Sequence, residues 1–416
     1  MLYNQLIHKK KDLLSLILLT TFPISIISGN LFINIYFILF SINFLLNFNE
    51  NKILISNKNN KLNLLLIFFF FSLVVNLFFS TDFVNSLPRV VKIILVILFV
   101  IDTQRFVLKN QNQINLLFKN WSIIFFIIIV DIFFEYLTGQ NLLGFKSAMP
   151  GRIASFFGDE LVVGAFFHGF LLFFISYLIT NYPKKKIFLA IIIIMMLYLS
   201  FIIGERSNFL KVFFSLIIFS SLVFKINKIN KILILSFIIL IISVLMNLNQ
   251  EYKYRYYGQI KNIYQINGLH YYINNTQYGA HQIVAFEIFK DNPAFGVGIK
   301  NFMKESQKNK YKNDNPNNHL RVATHPHQLH MEFLSETGIF GYISFLIFIF
   351  SSLILAIRNY LVSKNLYLLS SIIFIFSSLI PIMPSGSFLS TFNSSIFWIN
   401  FAIMSSFVLK KLNRKS

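Results

Sequence analysis

The sequence predicts an all-α, polytopic membrane helix bundle of about twelve transmembrane helices with one large loop on the outer face. The first supporting observation is composition: 56% of the 416 residues are hydrophobic, 13% are charged and 52 are Phe. The second is a series of apolar runs long enough to cross a bilayer, and the third is a basic cluster in every second connection. A soluble core would not require this share of apolar residues.

The predicted spans follow from run length, because roughly 17 to 25 apolar residues cross a bilayer. We centre them on Leu19, Ile38, Phe71, Leu95, Ile127, Leu171, Ile194, Ile217, Ile239, Phe348, Ile375 and Ala402. The first run has no small-residue cleavage site, so we predict a retained span rather than a signal peptide.

Basic residues predict the orientation. Alternate connections carry clusters such as Lys9–Lys11, Lys184–Lys186 and Lys225, Lys228 and Lys231. By the positive-inside rule these connections are cytoplasmic, and we predict that both termini are too. The formal charge of +21 is spread between apolar runs, which predicts contact with membrane lipids and no nucleic-acid partner.

One connection differs from the others in length and polarity. We predict three parts: residues 1–248 with the first nine spans, a loop domain at 249–335, and residues 336–416 with the last three spans. Within the loop, apolar residues at helical spacing run to Asp291. We predict that the helix ends after Asp291, because it is followed by the helix-breaking residues Asn292, Pro293, Gly296 and Gly298. The chain has no Cys, so no disulfide is possible.

The distribution of arginine indicates an anionic ligand. The chain has 29 Lys and 8 Arg, yet five of the eight arginines fall on or near the predicted outer face: Arg89, Arg152, Arg206, Arg255 and Arg321. Arginine grips phosphate oxygens in pairs, whereas topology requires only positive charge. A chance distribution of few residues is the alternative.

A histidine-rich segment, residues 321–341, leads directly into an apolar run. Pro326 predicts a helix start, which places His327 in the first turn. A helix N-terminus favours a neutral imidazole that can accept a proton. The alternative is that His325, His327 and His330 are merely tolerated at the membrane surface. In the same segment, Glu332 and Glu336 share a helix face, and Gly338 and Gly341 predict close approach of another backbone.

Other polar side chains have structural interpretations of equal weight. Glu205 is expected to pair with its neighbour Arg206. Glu135 is expected to reach water at the outer end of its span. Lys92 and His168, each alone within a span, are expected to make hydrogen bonds inside the bundle.

Together these groups predict transfer of a sugar from a lipid-linked diphosphate to a hydroxyl. Cations would stabilise charge on the departing diphosphate, and a base would accept the proton of the incoming hydroxyl. No aspartate pair or histidine–carboxylate cluster of metal-binding type is present on the outer side, so no metal and no other cofactor is expected.

Four motifs resemble those of the O-antigen ligase and O-antigen polymerase superfamily of bacterial inner membranes. They are GRIASFFGDELVVG (151–164), IIGERSNF (202–209), FEIFKDNPAFGVGIKNF (286–302) and THPHQLHMEFLSETGIFG (324–341). The resemblance implies a helical fold with a large periplasmic loop. It also implies a metal-independent, inverting glycosyltransferase with an undecaprenyl-diphosphate-linked glycan as donor.

By this resemblance, His327 is the base or acceptor-positioning group, and Arg152 and Arg206 bind donor phosphates. Gln328 stands where members usually have Asn, and His281 stands where many have an arginine. The predicted substrate-binding residues are Arg255, His281, Arg321, His325 and Glu205, with Arg255 or Arg321 as substitutes for the family arginine.

Three alternatives remain open at this stage. We favour a ligase that uses the lipid A core as acceptor, while a polymerase would use a second lipid-linked glycan. A transporter or lipid-glycan flippase also fits the number of spans, and tolerance of Asp131→Asn would weaken that alternative. A non-catalytic scaffold would survive only if replacement of His327 and of Arg206 left activity intact.

Overall fold

The computed structural model describes residues 2–56, 60–160, 162–224, 250–258, 261, 268–312, 314–381 and 383–412. In these ranges the regular structure is helical throughout, with no strand, which confirms the all-α prediction. The predicted span around Ile239 lies outside the described residues.

In the described part of the chain, nine helices precede the predicted loop. They are α1 Leu2–Ile27, α2 Asn30–Leu46, α3 Phe48–Ser56, α4 Lys61–Phe78, α5 Phe83–Lys109, α6 Ile114–Thr138, α7 Val163–Asn181, α8 Lys186–Ile202 and α9 Arg206–Val223. The loop contains α10 Gln250–Tyr252, a π-turn at Lys253–Gly258, α11 Gly268–Asn275, α12 Gln277–Asp291 and α13 Phe302–Ser306. The chain then forms α14 Leu329–Ser363, α15 Leu366–Ser378 and α16 Thr391–Leu412.

Among the described residues, seven helices are long and apolar enough to cross a membrane: α4, α5, α6, α7, α9, α14 and α16. The pair α2 and α3, bent by 90°, would raise the number to eight, and three shorter apolar helices lie at Asp12–Ile27, Ile187–Ile202 and Leu366–Ser378. The predicted centres other than Ile239 all fall within these helices. The predicted number of about twelve spans is not confirmed.

Helix α16 forms the centre of the bundle. Its membrane-crossing stretch is 94% buried, against 44% for that of α14, and it packs on α5 and α15. Small side chains allow this close packing. The hydroxyls of Ser395 and Ser406 donate to carbonyls one turn back in the same helix, so these buried polar groups are satisfied.

A buried ion network lies at the end of α5 that carries Lys109. The Arg105 guanidinium is 2.8 Å from Asp12, 3.0 Å from Asp102 and 3.4 Å from Glu50. Lys109 pairs with Glu50 at 2.9 Å. Charges inside a bundle are costly unless paired, so here the cations stabilise the packing of α1, α3 and α5.

The segment after α12 docks on a break in α14. Gly338 has φ +63°, and a Cβ there would lie 2.5 Å from backbone atoms of Ala294. The amides of Val297 and Gly298 donate to carbonyls of residues 335 and 336 at 3.0 and 2.8 Å. The predicted break after Asp291 is confirmed, as is close backbone approach at Gly338. At Gly341 the prediction was wrong, because a Cβ there would meet the Thr337 side chain of the same helix.

The predicted start of α14 was also wrong. The helix begins at Leu329, with Gln328 as its cap, and the Gln328 side chain accepts a hydrogen bond from the Met331 amide at 2.6 Å. His327 therefore lies before the helix rather than in its first turn. Its φ of +54° is a left-handed conformation that an α-helix does not contain.

Candidate active site

The first motif and the arginine turn are in direct backbone contact. The Ile153 amide donates to the Ile203 carbonyl at 3.1 Å. Gly204 has φ +77°, and a Cβ at this position would lie 2.0 Å from the Gly151 carbonyl oxygen. Only glycine permits both the conformation and the close approach. This contact brings Arg152 and Arg206 to the same place.

Two carboxylates of α6 hold the first motif in position. Glu135 accepts hydrogen bonds from the amides of Ala154 and Ser155 at 3.0 and 2.6 Å. Asp131 accepts from the Ser155 hydroxyl at 2.6 Å and from the Leu142 amide at 2.7 Å. Glu135 is only 3% exposed, so the expectation that it reaches water was wrong. Both are positioning residues, and their spacing of four along one helix was the available signal.

The π-turn adds a third arginine. The Tyr256 ring stacks on Phe201 with ring centroids 4.5 Å apart, and its hydroxyl donates to the Phe201 carbonyl at 2.9 Å. This anchor places Arg255 over the arginine turn, where its Nη2 donates to the Gly204 carbonyl at 3.1 Å. Arg206 Nη1 in turn donates to the Arg255 carbonyl at 3.0 Å. We call Arg152, Arg206 and Arg255 the arginine cluster.

One buried carboxylate belongs to this cluster. Glu205 pairs with Arg152 at 3.3 Å rather than with its neighbour Arg206, which corrects the expected pairing. Glu205 also accepts hydrogen bonds from the Gly164 backbone amide at 3.0 Å and from the Asn208 side-chain amide at 2.6 Å. Burial raises the pKa of Glu205, and the Arg152 charge opposes this effect. The contacts of Glu205 are those of a residue that positions Arg152.

The cluster carries more positive than negative charge. Burial lowers the pKa of Arg255, and the nearby charges of Arg152 and Arg206 lower it further. Three guanidinium groups therefore repel one another, and Glu205 and the nearby Glu251 offset only part of their charge. An anion with several oxygens, such as a diphosphate, would relieve this repulsion and could accept paired hydrogen bonds.

Three imidazoles and a phenol form a second cluster. The ring centroid of His327 is 4.0 Å from that of His325, 5.1 Å from that of His281 and 5.5 Å from that of Tyr278. The Ser385 amide donates to the His327 carbonyl at 2.9 Å and fixes its backbone. We call this group the histidine cluster.

Burial keeps these imidazoles neutral. It lowers the pKa of His327 to about 4, with a further contribution from His281, and it lowers the pKa of His325 to about 3. A helix N-terminus had been expected to produce the neutral form, and burial does so instead. His281 Nε2 lies 2.7 Å from the Leu320 carbonyl and so must carry the proton. Among the residues that the structure describes, no group of three or more His, Asp or Glu is arranged to hold a metal ion.

His330 does not join this cluster. Its Nε2 donates to the Leu379 carbonyl at 2.8 Å, and its Nδ1 accepts from the Tyr342 hydroxyl at 3.0 Å. With both ring nitrogens engaged, His330 ties the start of α14 to the end of α15. Among the three histidines of residues 321–341, His330 is therefore the one with a structural role.

The other two arginines of the predicted outer set lie elsewhere. Arg321 is buried and donates to the carbonyls of Asn318 and Gln307, both at 3.3 Å. It stabilises the loop beside the carbonyl that His281 contacts. Arg89 lies on α5, apart from the arginine cluster. Arg255 is thus the loop arginine that the fold brings to the arginine turn.

Helices α11 and α12 connect the two clusters. Burial raises the pKa of Tyr272 of α11 to about 12, and the hydrogen bond from Gln282 and the charge of Arg206 oppose this effect. The Tyr272 hydroxyl accepts from Gln282 at 3.4 Å, and Gln282 follows His281 on α12. His281 stacks on His327. The arginine and histidine clusters therefore lie at the same end of the bundle.

Comparison with known proteins is consistent with this geometry. A family model described as O-Antigen ligase matches residues 191–346, a segment that holds Arg206, Arg255 and His327 and follows Arg152. No curated protein matches the chain. The family match supports the resemblance predicted from the motifs at 202–209, 286–302 and 324–341, while the motif at 151–164 lies outside the matched segment: residues 191–346 are similar to the O-antigen ligase superfamily.

Proposed function

We propose that the protein is an O-antigen ligase-like glycosyltransferase, which moves a glycan from undecaprenyl diphosphate to a hydroxyl of the lipid A core at the periplasmic face of the bacterial inner membrane. The observation that carries this proposal is the placement of the arginine cluster and a neutral His327 at one end of a membrane helix bundle. The family match supports it.

The arginine cluster is the proposed donor site. Arg152, Arg206 and Arg255 lie together, and Arg152 pairs with the Glu205 carboxylate. Cations fixed in a site with limited water stabilise negative charge more strongly than mobile cations in solution. Charge grows on the diphosphate as it leaves, so the cluster would stabilise the transition state more than the bound donor.

His327 is the proposed base. In the inverting reaction the acceptor oxygen attacks the anomeric carbon from the face opposite the diphosphate. The bond between that carbon and the diphosphate oxygen breaks, and undecaprenyl diphosphate leaves with the electron pair. The acceptor proton moves to the neutral imidazole, which later releases it to water. In this scheme the chain's own side chains supply the charge stabilisation and the base, without a metal or other cofactor.

His325 and His281 are proposed to shape the acceptor side of the site. His325 Nδ1 lies 3.0 Å from the Thr324 hydroxyl, and its ring contacts that of His327. His281, fixed by the Leu320 carbonyl, contacts the other side. Two neutral rings around His327 would hold its imidazole in one orientation without competing for the proton. For Arg321, predicted as a substrate-binding residue, we propose support of this loop.

We also propose the topology of about twelve spans, both termini cytoplasmic and residues 249–335 as the periplasmic loop domain between the parts 1–248 and 336–416. The geometry of α5 supports this. Two residues before the start of α5, the Thr81 amide donates a hydrogen bond to the Val297 carbonyl of the loop at 3.0 Å. At its other end, Lys109 and Arg105 form the ion network. The loop and the basic connections thus lie at opposite ends of one span.

Deletion of the gene tests the choice between ligase and polymerase. Surface lipopolysaccharide is separated from the lipid-linked pool, and the glycans in each are sized. A ligase predicts long chains on the carrier lipid and a bare core outside. A core that carries a single repeat unit would instead identify the polymerase. Unchanged glycans in both pools would contradict both and favour the transporter or flippase.

A further inference from the structure

A pocket lies apart from the arginine cluster, between α4, α5 and the segment that connects α15 with α16. Arg89 and Lys92 of α5 line it, together with Phe388 and Leu389 of the connecting segment and Trp398 of α16. The proposed reaction uses none of these residues.

The two cations in this pocket have no acidic partner among the described side chains. In the described part of the chain neither Arg89 nor Lys92 forms an ion pair, and the buried Lys92 Nζ has no hydrogen-bond partner there. The expectation of a hydrogen bond inside the bundle for Lys92 is therefore not met. Its nearest aromatic ring is that of Phe37, at 5.8 Å, near the outer limit for a cation–π contact.

The ion network at the other end of α5 shows the contrast. There, Arg105 contacts three carboxylates and Lys109 contacts two. Cations beside hydrocarbon are costly unless a partner compensates them. Three residues apart on one face of α5, Arg89 and Lys92 lack such a partner among the described side chains, so the pocket is suited to an anion.

The depth of the pocket indicates where the anion comes from. At about 1.5 Å per residue, Arg89 and Lys92 lie roughly 9 to 14 Å along α5 from Phe83. Val91 and Ile94, which lie on either side of Lys92 in the sequence, are exposed on the bundle surface, where lipid chains would contact them. A headgroup can reach this depth from the bilayer, whereas a free ion would lose its hydration.

We infer that Arg89 and Lys92 form a second anion site that holds the headgroup phosphate of an anionic membrane lipid. The segment above the site links it to the histidine cluster. The Phe388 amide donates to Glu332 at 2.8 Å, and the Ser385 amide of the same segment donates to the His327 carbonyl at 2.9 Å. The bound lipid therefore supports the segment that fixes the backbone of His327. This site does not depend on the proposed glycosyl transfer.

Trp398 provides a direct readout of this site. The chain has two Trp, so Trp121→Phe leaves Trp398 as the single fluorophore. The full chain is reconstituted in vesicles of phosphatidylcholine that contain an equal share of either brominated phosphatidylglycerol or brominated phosphatidylcholine. Bromine quenches only nearby indoles. We expect phosphatidylglycerol to be favoured roughly tenfold at the site, because each cation near the membrane surface attracts an anionic lipid.

Matched variants distinguish the site from a general charge effect. The double variant Arg89→Gln/Lys92→Met should lose the preference. The exchange Arg89→Lys/Lys92→Arg keeps both charges and should retain it. Lys119→Gln removes one exposed lysine of α6 and should change nothing.

Two outcomes would overturn the inference. Equal quenching by the two brominated lipids in the folded Trp121→Phe protein would show that no anionic lipid is selected. Relief of the preference by added inorganic phosphate at constant ionic strength would show that the site takes the free ion rather than a headgroup. Because quenching requires no turnover, neither outcome bears on the proposed reaction.

Discussion

At the scale of single residues, His327 is notable for its backbone. A φ of +54° is uncommon for a side chain other than glycine. Strain of this kind persists where the surroundings over-determine it. Here the Ser385 amide fixes the carbonyl, and the rings of His325 and His281 contact the imidazole. The side chain is thus held before the helix, in a position that the sequence pattern did not indicate.

The pH dependence of transfer should reflect the lowered pKa of His327. The neutral form is the base, and it is present above a pKa of about 4. The rate should therefore be flat between about pH 5 and 8, where an ordinary histidine titrates, and should decline only as the pH falls toward 4. Profiles of kcat/KM for the wild type measure this. An inflection near the ordinary pKa of about 6.5 that persists in both the His325→Asn and the His281→Asn proteins would contradict the lowered pKa of His327.

Arg206 should not be replaceable by lysine. A guanidinium can bond a phosphate and the Arg255 carbonyl together, whereas an ammonium is a compact point charge. We expect Arg206→Lys to lower kcat/KM by roughly tenfold to a hundredfold, as loss of a charged hydrogen bond costs about 1.5 to 3 kcal/mol. Arg358→Lys, at an exposed position on α14, is the control. Equal rates for both variants would make Arg206 a purely structural residue.

At the scale of elements, variants of Glu135 and Asp131 on α6 test whether these carboxylates position the first motif. Both oxygens of Glu135 accept from backbone amides, so Glu135→Gln would direct an NH₂ group at an N–H donor. We expect a loss of stability of about 1 to 3 kcal/mol, seen as a lower Tm in detergent. Asp131→Asn can still accept from Leu142 and donate to the Ser155 hydroxyl. It should be tolerated, and a loss of activity in folded Asp131→Asn protein would favour the transporter alternative.

The contact between the first motif and the arginine turn depends on Gly204. Gly204 and Gly139 have nearly equal φ values of +77° and +76°, but a Cβ has open space only at Gly139. Alanine should cost about 1 to 2 kcal/mol from backbone strain at either position. Gly204→Ala should cost about 1 to 3 kcal/mol more, because the two loops must separate. Thermal unfolding of both variants checks this, and equal Tm values would show that the contact is not essential.

Several of these elements could be predicted from the sequence, and the reasons are local. Apolar runs mark the helices around Phe71 and Phe348 because run length alone determines whether a segment can span. The break after Asp291 follows from Pro and Gly. The start of α14 could not be predicted, since the Gln328 side chain caps this helix although Gln is not a residue usually expected at that position. The role of Glu135 was hidden because its partners, Ala154 and Ser155, are brought near only by the fold.

At the scale of the whole molecule, the two ends of the bundle differ in how far their basic side chains are paired with carboxylates. At one end, Arg105 and Lys109 are neutralised by carboxylates. At the other, the three arginines of the arginine cluster outnumber the carboxylates beside them, and no carboxylate among the described residues pairs with Arg89 or Lys92. The preference for arginine on the predicted outer side predicted an anion, but only the fold separates the arginine cluster from Arg89 on α5 and from the buried Arg321, which stabilises the loop.

The most direct measurement is transfer by the purified protein, reconstituted with an undecaprenyl-diphosphate-linked glycan and lipid A core. Wild type, His327→Ala and the exposed control His319→Ala are compared for product formation and, separately, for donor binding. If His327 is the base and the arginine cluster holds the donor, His327→Ala should be slower by about a hundredfold or more with donor affinity unchanged, and His319→Ala should match the wild type. Transfer by His327→Ala within a few-fold of the wild type would contradict the proposed site.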